Sequence, residues 1–199
     1  MQYDFISIFN LEFLAVLLAL SYLILASRQN IICWYAALVS TSIYTYLYWD
    51  VSLYMESLLN VYYFVMAIYG LSQWKKKEKR ENSIDIWSFK KHSIIISLII
   101  VLSFISGIFL SETNAENPFL DSFTTWGSVI TTYMVAKKIL TNWIFWIVIN
   151  SVGIFLNFDK GLIMTALLLF IYQIISVIGF ISWRRSYYKQ IGWYQEINA

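Results

Sequence analysis

The sequence predicts an all-α, polytopic membrane protein with seven transmembrane helices in a 3+1+3 arrangement of parallel repeats. Three observations predict it. The chain is 59% hydrophobic and only 13% charged, against about one-quarter charged in an ordinary soluble domain, and its mean hydropathy is +0.63. Its apolar residues fall into seven runs, most near the length of roughly 20 residues that a helix needs to cross a bilayer. The third and seventh runs end alike.

The runs lie near 11–27, 30–48, 53–73, 93–111, 122–137, 142–157 and 162–183. They show no strand-like alternation, so helices are what remains to satisfy the backbone in lipid. The opening MQYDF has no basic n-region, and a cleaved signal peptide is not expected. The single cysteine, Cys33, excludes an intrachain disulfide and a cysteine metal cluster. The single histidine, His92, stands beside Lys90 and Lys91 at the edge of a span. No metal or cofactor is called for, and no nucleic-acid partner; the solvent is the lipid bilayer.

The basic residues set the orientation. With the run KKKEKR at 75–80 in the cytoplasm, alternating spans place the N-terminus outside and the C-terminus inside. Arg28, Lys75, Lys76, Lys77, Lys79, Arg80, Lys90, Lys91, Lys137, Lys138, Arg184, Arg185 and Lys189 then all lie inside. Of the 14 Lys and Arg residues only Lys160 falls outside, which is the bias of the positive-inside rule. The outer loop after the fourth run carries Glu112, Glu116 and Asp121.

The third run ends in YYFVMAIYGLSQWKKK and the seventh in IYQIISVIGFISWRR. Tyr63 matches Tyr172, Gly70 matches Gly179 and Trp74 matches Trp183, all 109 residues apart. Asp50 and Asp159, and Leu53 and Leu162, keep the same offset. Asn30 and Trp34 match Asn142 and Trp146 at an offset of 112, which requires a three-residue gap. Small interface residues and aromatic belts explain part of such a match; the repeated spacing favours a duplication. Within one transmembrane domain spanning 1–199, repeat one is 10–77, a linker helix covers 92–111, and repeat two is 122–185. Four spans separate matching helices, so the halves point the same way. Parallel repeats about an axis along the membrane normal form a transporter plan of the SWEET-like kind, with a solute pathway at their interface.

The sixth run opens WIFWIVIN, which sets Trp143, Trp146 and Asn150 on one helical face. Trp143 can be read as a headgroup-level belt residue, and an Asn in lipid can glue helices together. Polar and aromatic company on other spans favours a ligand cradle. The seventh run contributes Tyr172 and Gln173, the third Glu56, Asn60 and Tyr63, and the second Tyr44. Indoles and phenols stack on a flat ring, more strongly if it is cationic, while amides satisfy its polar edge. Glu56 reads as an ionised group at the outer mouth that attracts a cation. An intramembrane enzyme is disfavoured, since the lone His92 supplies neither a Ser–His pair nor a zinc site. A non-transporting receptor or scaffold gives no reason for a repeat that builds a central pathway.

The motif W-x-x-W-x-x-x-N, together with Y-x6-G-x3-W at the end of both halves, resembles the PnuC family of bacterial vitamin transporters. The basic segment after the third span and the Lys160–Gly161 turn are similar to that family too, so the resemblance covers nearly the whole chain. It implies facilitated, energy-independent uptake of a vitamin precursor across the bacterial cytoplasmic (inner) membrane, with trapping by cytoplasmic phosphorylation. It implies nicotinamide riboside as substrate, with thiamine or riboflavin as the alternatives carried by relatives, and a homotrimer with one pathway per protomer.

Overall fold

A membrane helix is delimited by where its backbone must turn, and two kinds of left-handed turn, each used twice, set the frame of this chain. The computed structural model describes residues 2–78, 84–113 and 116–197; Lys79 and Arg80, which entered the charge count above, lie outside them. Among the described residues there are seven helices: α1 Gln2–Ser27, α2 Cys33–Asp50, α3 Tyr54–Glu78, α4 Phe89–Ser111, α5 Pro118–Ala136, α6 Asn142–Asp159 and α7 Ile163–Ile197. All seven expected runs are helical. α5 starts four residues earlier than its apolar run because Pro118 occupies its first turn, where a missing N–H costs nothing. α7 continues well past Trp183: hydropathy marks where lipid ends, whereas a helix can continue into water.

Four helices contain a stretch long and apolar enough to cross a membrane: Asn10–Ser27, Phe89–Ser111, Asn142–Asp159 and Ile163–Gly192. The others carry more hydroxyls and aromatics, as in the α2 stretch STSIYTYLYWD. Those groups lower hydropathy without adding charge, and Thr41, Ser42 and Thr45 return their hydroxyls to carbonyls of their own helix at 2.7–2.8 Å.

The chain falls into two compact units, Met1–Asn82 and Ser83–Ala199. In the first, α2 packs against both α1 and α3; in the second, α6 packs against both α5 and α7, and α4 packs against α5. The α4–α5 seam is held by Phe119 lying over Gly107 and by Trp126 Nε1, which donates to Ser106 Oγ at 2.9 Å.

The two three-helix sets repeat one another in backbone detail. Left-handed residues fall at Gln29 (φ 57°) and Lys138 (φ 54°), and at Ser52 (φ 62°) and Gly161 (φ 71°), each pair 109 apart. Asn30 N donates to Leu25 O at 2.9 Å as Ile139 N does to Met134 O at 3.0 Å. Leu53 N donates to Tyr48 O and Leu162 N to Asn157 O, both at 2.8 Å. α2 and α6 begin and end at the same offset.

This corrects one sequence match. Trp34 corresponds to Trp143, not Trp146, and no three-residue gap is needed. The W-x-x-W pattern offers two tryptophans one turn apart on a helix, and letters alone do not choose between them. Packing does. A Cβ at Gly70 would overlap the Trp34 ring, and a Cβ at Gly179 would lie 2.7 Å from Trp143 Cε2. Trp34 meets Trp74 edge-on at 5.4 Å and 89°; Trp143 meets Trp183 at 5.5 Å and 86°. All four indoles are buried. Each unit is thus clamped by a glycine on its third helix that admits an indole from its second.

Gly179→Ala should therefore overpack the clamp and destabilise the protein by about 1–3 kcal/mol, read as a lower Tm in detergent. Gly192→Ala, where a Cβ meets nothing within 4 Å, should leave Tm unchanged or raise it through helix propensity. Equal Tm values for Gly179→Ala and the parent would contradict the clamp.

Candidate functional site

Once the repeat is in register, the residues singled out from sequence divide into those that both units share and those that only one unit carries. Trp143 is shared. It is 1% exposed and spends its ring on Gly179 and Trp183, which removes it from a headgroup-level belt. Among the described residues its Nε1 has no hydrogen-bond partner, and neither has Trp34 Nε1 at the equivalent place. Tyr172 and Tyr63 are also equivalent, both half-buried.

Trp146 stands where the first unit has Ala37, Asn150 where it has Thr41, and Gln173 where it has Phe64. These three differ from the scaffold; Asn150 and Gln173 bond across the α6–α7 seam, and Trp146 lies one turn before Asn150 on α6. Asn150 is buried, and its Nδ2 donates to Ser176 Oγ at 3.4 Å. Ser176 Oγ in turn donates to Tyr172 O at 2.8 Å. One residue along α6, Ser151 Oγ accepts from Gln173 Nε2 at 3.2 Å and donates to Ile147 O at 2.8 Å. Gln173 Oε1 is buried and accepts nothing from the described residues. A buried amide oxygen without a donor costs on the order of 1–3 kcal/mol, and a ligand N–H or O–H would recover it. Trp146, one turn before Asn150, is half-buried rather than enclosed.

Ser176 and Ser151 were not among the residues nominated from sequence, although both hold nominated amides. A serine in a membrane helix usually bonds its own backbone, so its letter carries little signal. Ser176 could have been found as the polar departure from Ala67 in the first unit; Ser151 could not, since Ser42 stands opposite it.

The first unit holds the remaining nominated residues. Asn60 Nδ2 is turned onto Glu56 O of its own helix at 2.9 Å. Glu56 is exposed in the first turn of α3, where the helix dipole favours an anion. Tyr44 stacks on Tyr48 with centroids 5.6 Å apart and planes 17° off parallel, and Tyr63 lies edge-on to Tyr62 at 5.5 Å. At the turn between α6 and α7, Lys160 Nζ sits 3.2 Å from Asp121 Oδ2. The one basic residue placed apart from the others thus has an acidic partner.

On the α6–α7 seam the residues named here as hydrogen-bonded across it are amides and hydroxyls. The family model described as nicotinamide mononucleotide transporter matches residues 10–185, which takes in both repeats and the linker helix. This chain belongs to that family. Its activity is therefore membrane transport, and its relatives are named as transporters rather than enzymes. The nicotinamide riboside transporter PnuC of Escherichia coli (strain K12) is 22% identical over 190 residues, covering 81% of this chain and 80% of that protein. The transporter of the same name from Neisseria mucosa is 26% identical over 162 residues, 74% of this chain and 62% of its own. A crystal structure of the vitamin B3 transporter PnuC superposes with a TM-score of 0.69 at 21% identity, covering 90% of this chain and 82% of that one. That likeness establishes the fold of this member of the nicotinamide mononucleotide transporter family: an all-helical, multi-pass membrane protein.

Proposed function

We propose that the chain carries nicotinamide riboside across the bacterial cytoplasmic membrane by facilitated diffusion. The observation that carries this reading is the α6–α7 seam, which holds an unspent amide oxygen and a second amide, with a half-buried indole one turn along α6 from Asn150. A riboside offers what such a seam lacks: a cationic ring for the indole, a carboxamide N–H₂ for Gln173 Oε1, and hydroxyls for Asn150. The family description speaks of a mononucleotide and the relatives' names of a riboside. The residues nominated here favour the riboside, because none of them is a lysine or arginine that would take a phosphate.

The orientation in this reading is N-terminus outside and C-terminus inside, on the positive-inside count. This reading keeps the parallel, SWEET-like repeats expected from the sequence, and assigns substrate contact to Asn60, Tyr63 and Tyr44 in the first repeat and to Trp146, Asn150, Tyr172 and Gln173 in the second. Trp143 supports this set from behind and does not touch substrate. Glu56 draws the cation to the outer mouth. The protein works as a homotrimer with a pathway in each protomer, and phosphorylation in the cytoplasm traps the product by adding a charge that an uncharged path rejects. Thiamine, also a cationic ring, is the competitor to test beside it.

Few ionisable groups lie deep in the spans, and ion coupling needs them. In proteoliposomes, radiolabelled nicotinamide riboside should equilibrate at the same rate with proton and sodium gradients collapsed. Accumulation above the external concentration that an uncoupler abolishes would contradict facilitated diffusion.

At the site, losing a cation–π stack costs about 1–2 kcal/mol and orphaning a buried amide partner about 1–3 kcal/mol. Trp146→Ala and Asn150→Leu should each weaken riboside binding about tenfold or more while leaving a monodisperse, inserted protein. Calorimetry on the purified variants checks this, and unchanged affinity in both would remove these residues from the site.

A further inference from the structure

The second unit carries another cavity that the transport reading does not use. It is an open groove of about 410 Å³ between the start of α4 and the end of α5, a volume in the range of small-molecule sites. Lys91 stands on one wall and Lys137 on the other, with Trp87 and Tyr133 beside them and Ile94 and Ile139 below.

The two helices present these residues at regular spacing. Lys91 and Ile94 are i and i+3 on α4, while Tyr133 and the residue after α5, Lys137, are i and i+4, so each wall has a charged end and an apolar or aromatic body. Lys137 Nζ lies 5.9 Å from the Tyr133 ring centroid, and Trp87 and Tyr133 are 6.4 Å apart. Lys91 has no ion-pair partner among the described residues. The N-terminal, positive end of the α4 dipole opens on the same place. Ile94 is 58% exposed, so the groove opens sideways along an apolar helix face rather than into the bundle.

We propose that this groove binds one anionic phospholipid, with its phosphate between Lys91 and Lys137 and its first acyl carbons along Ile94. Charge complementarity selects an anion. The isoleucine and the indole select a lipid over a free phosphate, which would have no use for them, and tryptophan and tyrosine are the aromatics enriched at headgroup level. In the orientation proposed above the lipid belongs to the inner leaflet; binding itself does not depend on that orientation or on the identity of the transported solute.

Native mass spectrometry of the full chain in detergent tests this, with phosphatidylglycerol and phosphatidylcholine as the probes. The protein should retain phosphatidylglycerol in preference. Lys91→Gln and Lys137→Gln should each weaken its retention about fivefold, the equivalent of about 1 kcal/mol per basic residue at a membrane surface. A Lys75→Gln/Lys76→Gln control, which removes two exposed lysines of α3, should leave it unchanged. Ile94→Ser should weaken phosphatidylglycerol but not competition by inorganic phosphate. If Lys137→Gln fails to insert, the exposed Lys91→Gln alone carries the test. The proposal is overturned if Lys91→Gln keeps the preference, or if the control loses as much. It is equally overturned if inorganic phosphate displaces the lipid while Ile94→Ser has no effect, or if the variants release protomers from an oligomer instead of lipid.

Discussion

Everything in each unit hangs on an indole laid against a glycine. A membrane helix pair gains little from the hydrophobic effect, because lipid is as apolar as leucine, so association depends on close packing. Gly70 and Gly179 supply that closeness: each removes the one Cβ that would keep Trp34 or Trp143 at a distance. A second indole, Trp74 or Trp183, then closes the edge. A glycine inside a helix costs about 1 kcal/mol relative to alanine, and the ring contact it allows offsets that.

The clamp fixes which way α6 faces, and the polar contacts of the α6–α7 seam follow from that rotation. With Trp143 pinned to Gly179, the residues along the same face of α6 must meet α7 as well. Asn150 therefore reaches Ser176, and its neighbour Ser151 reaches Gln173. The corresponding face of α2 in the first unit has Ala37 and Thr41 in place of Trp146 and Asn150. The clamp is duplicated, and Trp146, Asn150 and Gln173 are not.

Much of this was legible in the sequence. Seven apolar runs became seven helices, and the repeat offset of 109 read from Gly70, Trp74, Asp50 and their partners holds through the turns. The registration of α2 on α6 was not legible. WIFW contains two tryptophans one turn apart, and an Asn30–Asn142 coincidence drew the match to the wrong one. What decides it is the packing of Trp143 on Gly179, in the same register as the left-handed backbone at Gln29 and Lys138, and neither of these is a residue type that announces positive φ. The site was legible in residue type but not in partnership: Gln173 was visible as an amide in a membrane helix, whereas its bond to Ser151 and its idle oxygen needed coordinates.

The central proposal is that the indole–glycine clamps form the scaffold and that the α6–α7 amides, with Trp146, bind the solute. A structure of the protein with nicotinamide riboside bound tests it most directly. The account predicts the pyridinium ring in van der Waals contact, within about 4 Å, of Trp146, a polar contact to Asn150 or Gln173 Oε1, and Trp143 still seated on Gly179. A ring stacked on Trp143, or lodged beside Trp34 in the first unit with the α6–α7 amides untouched, would contradict it.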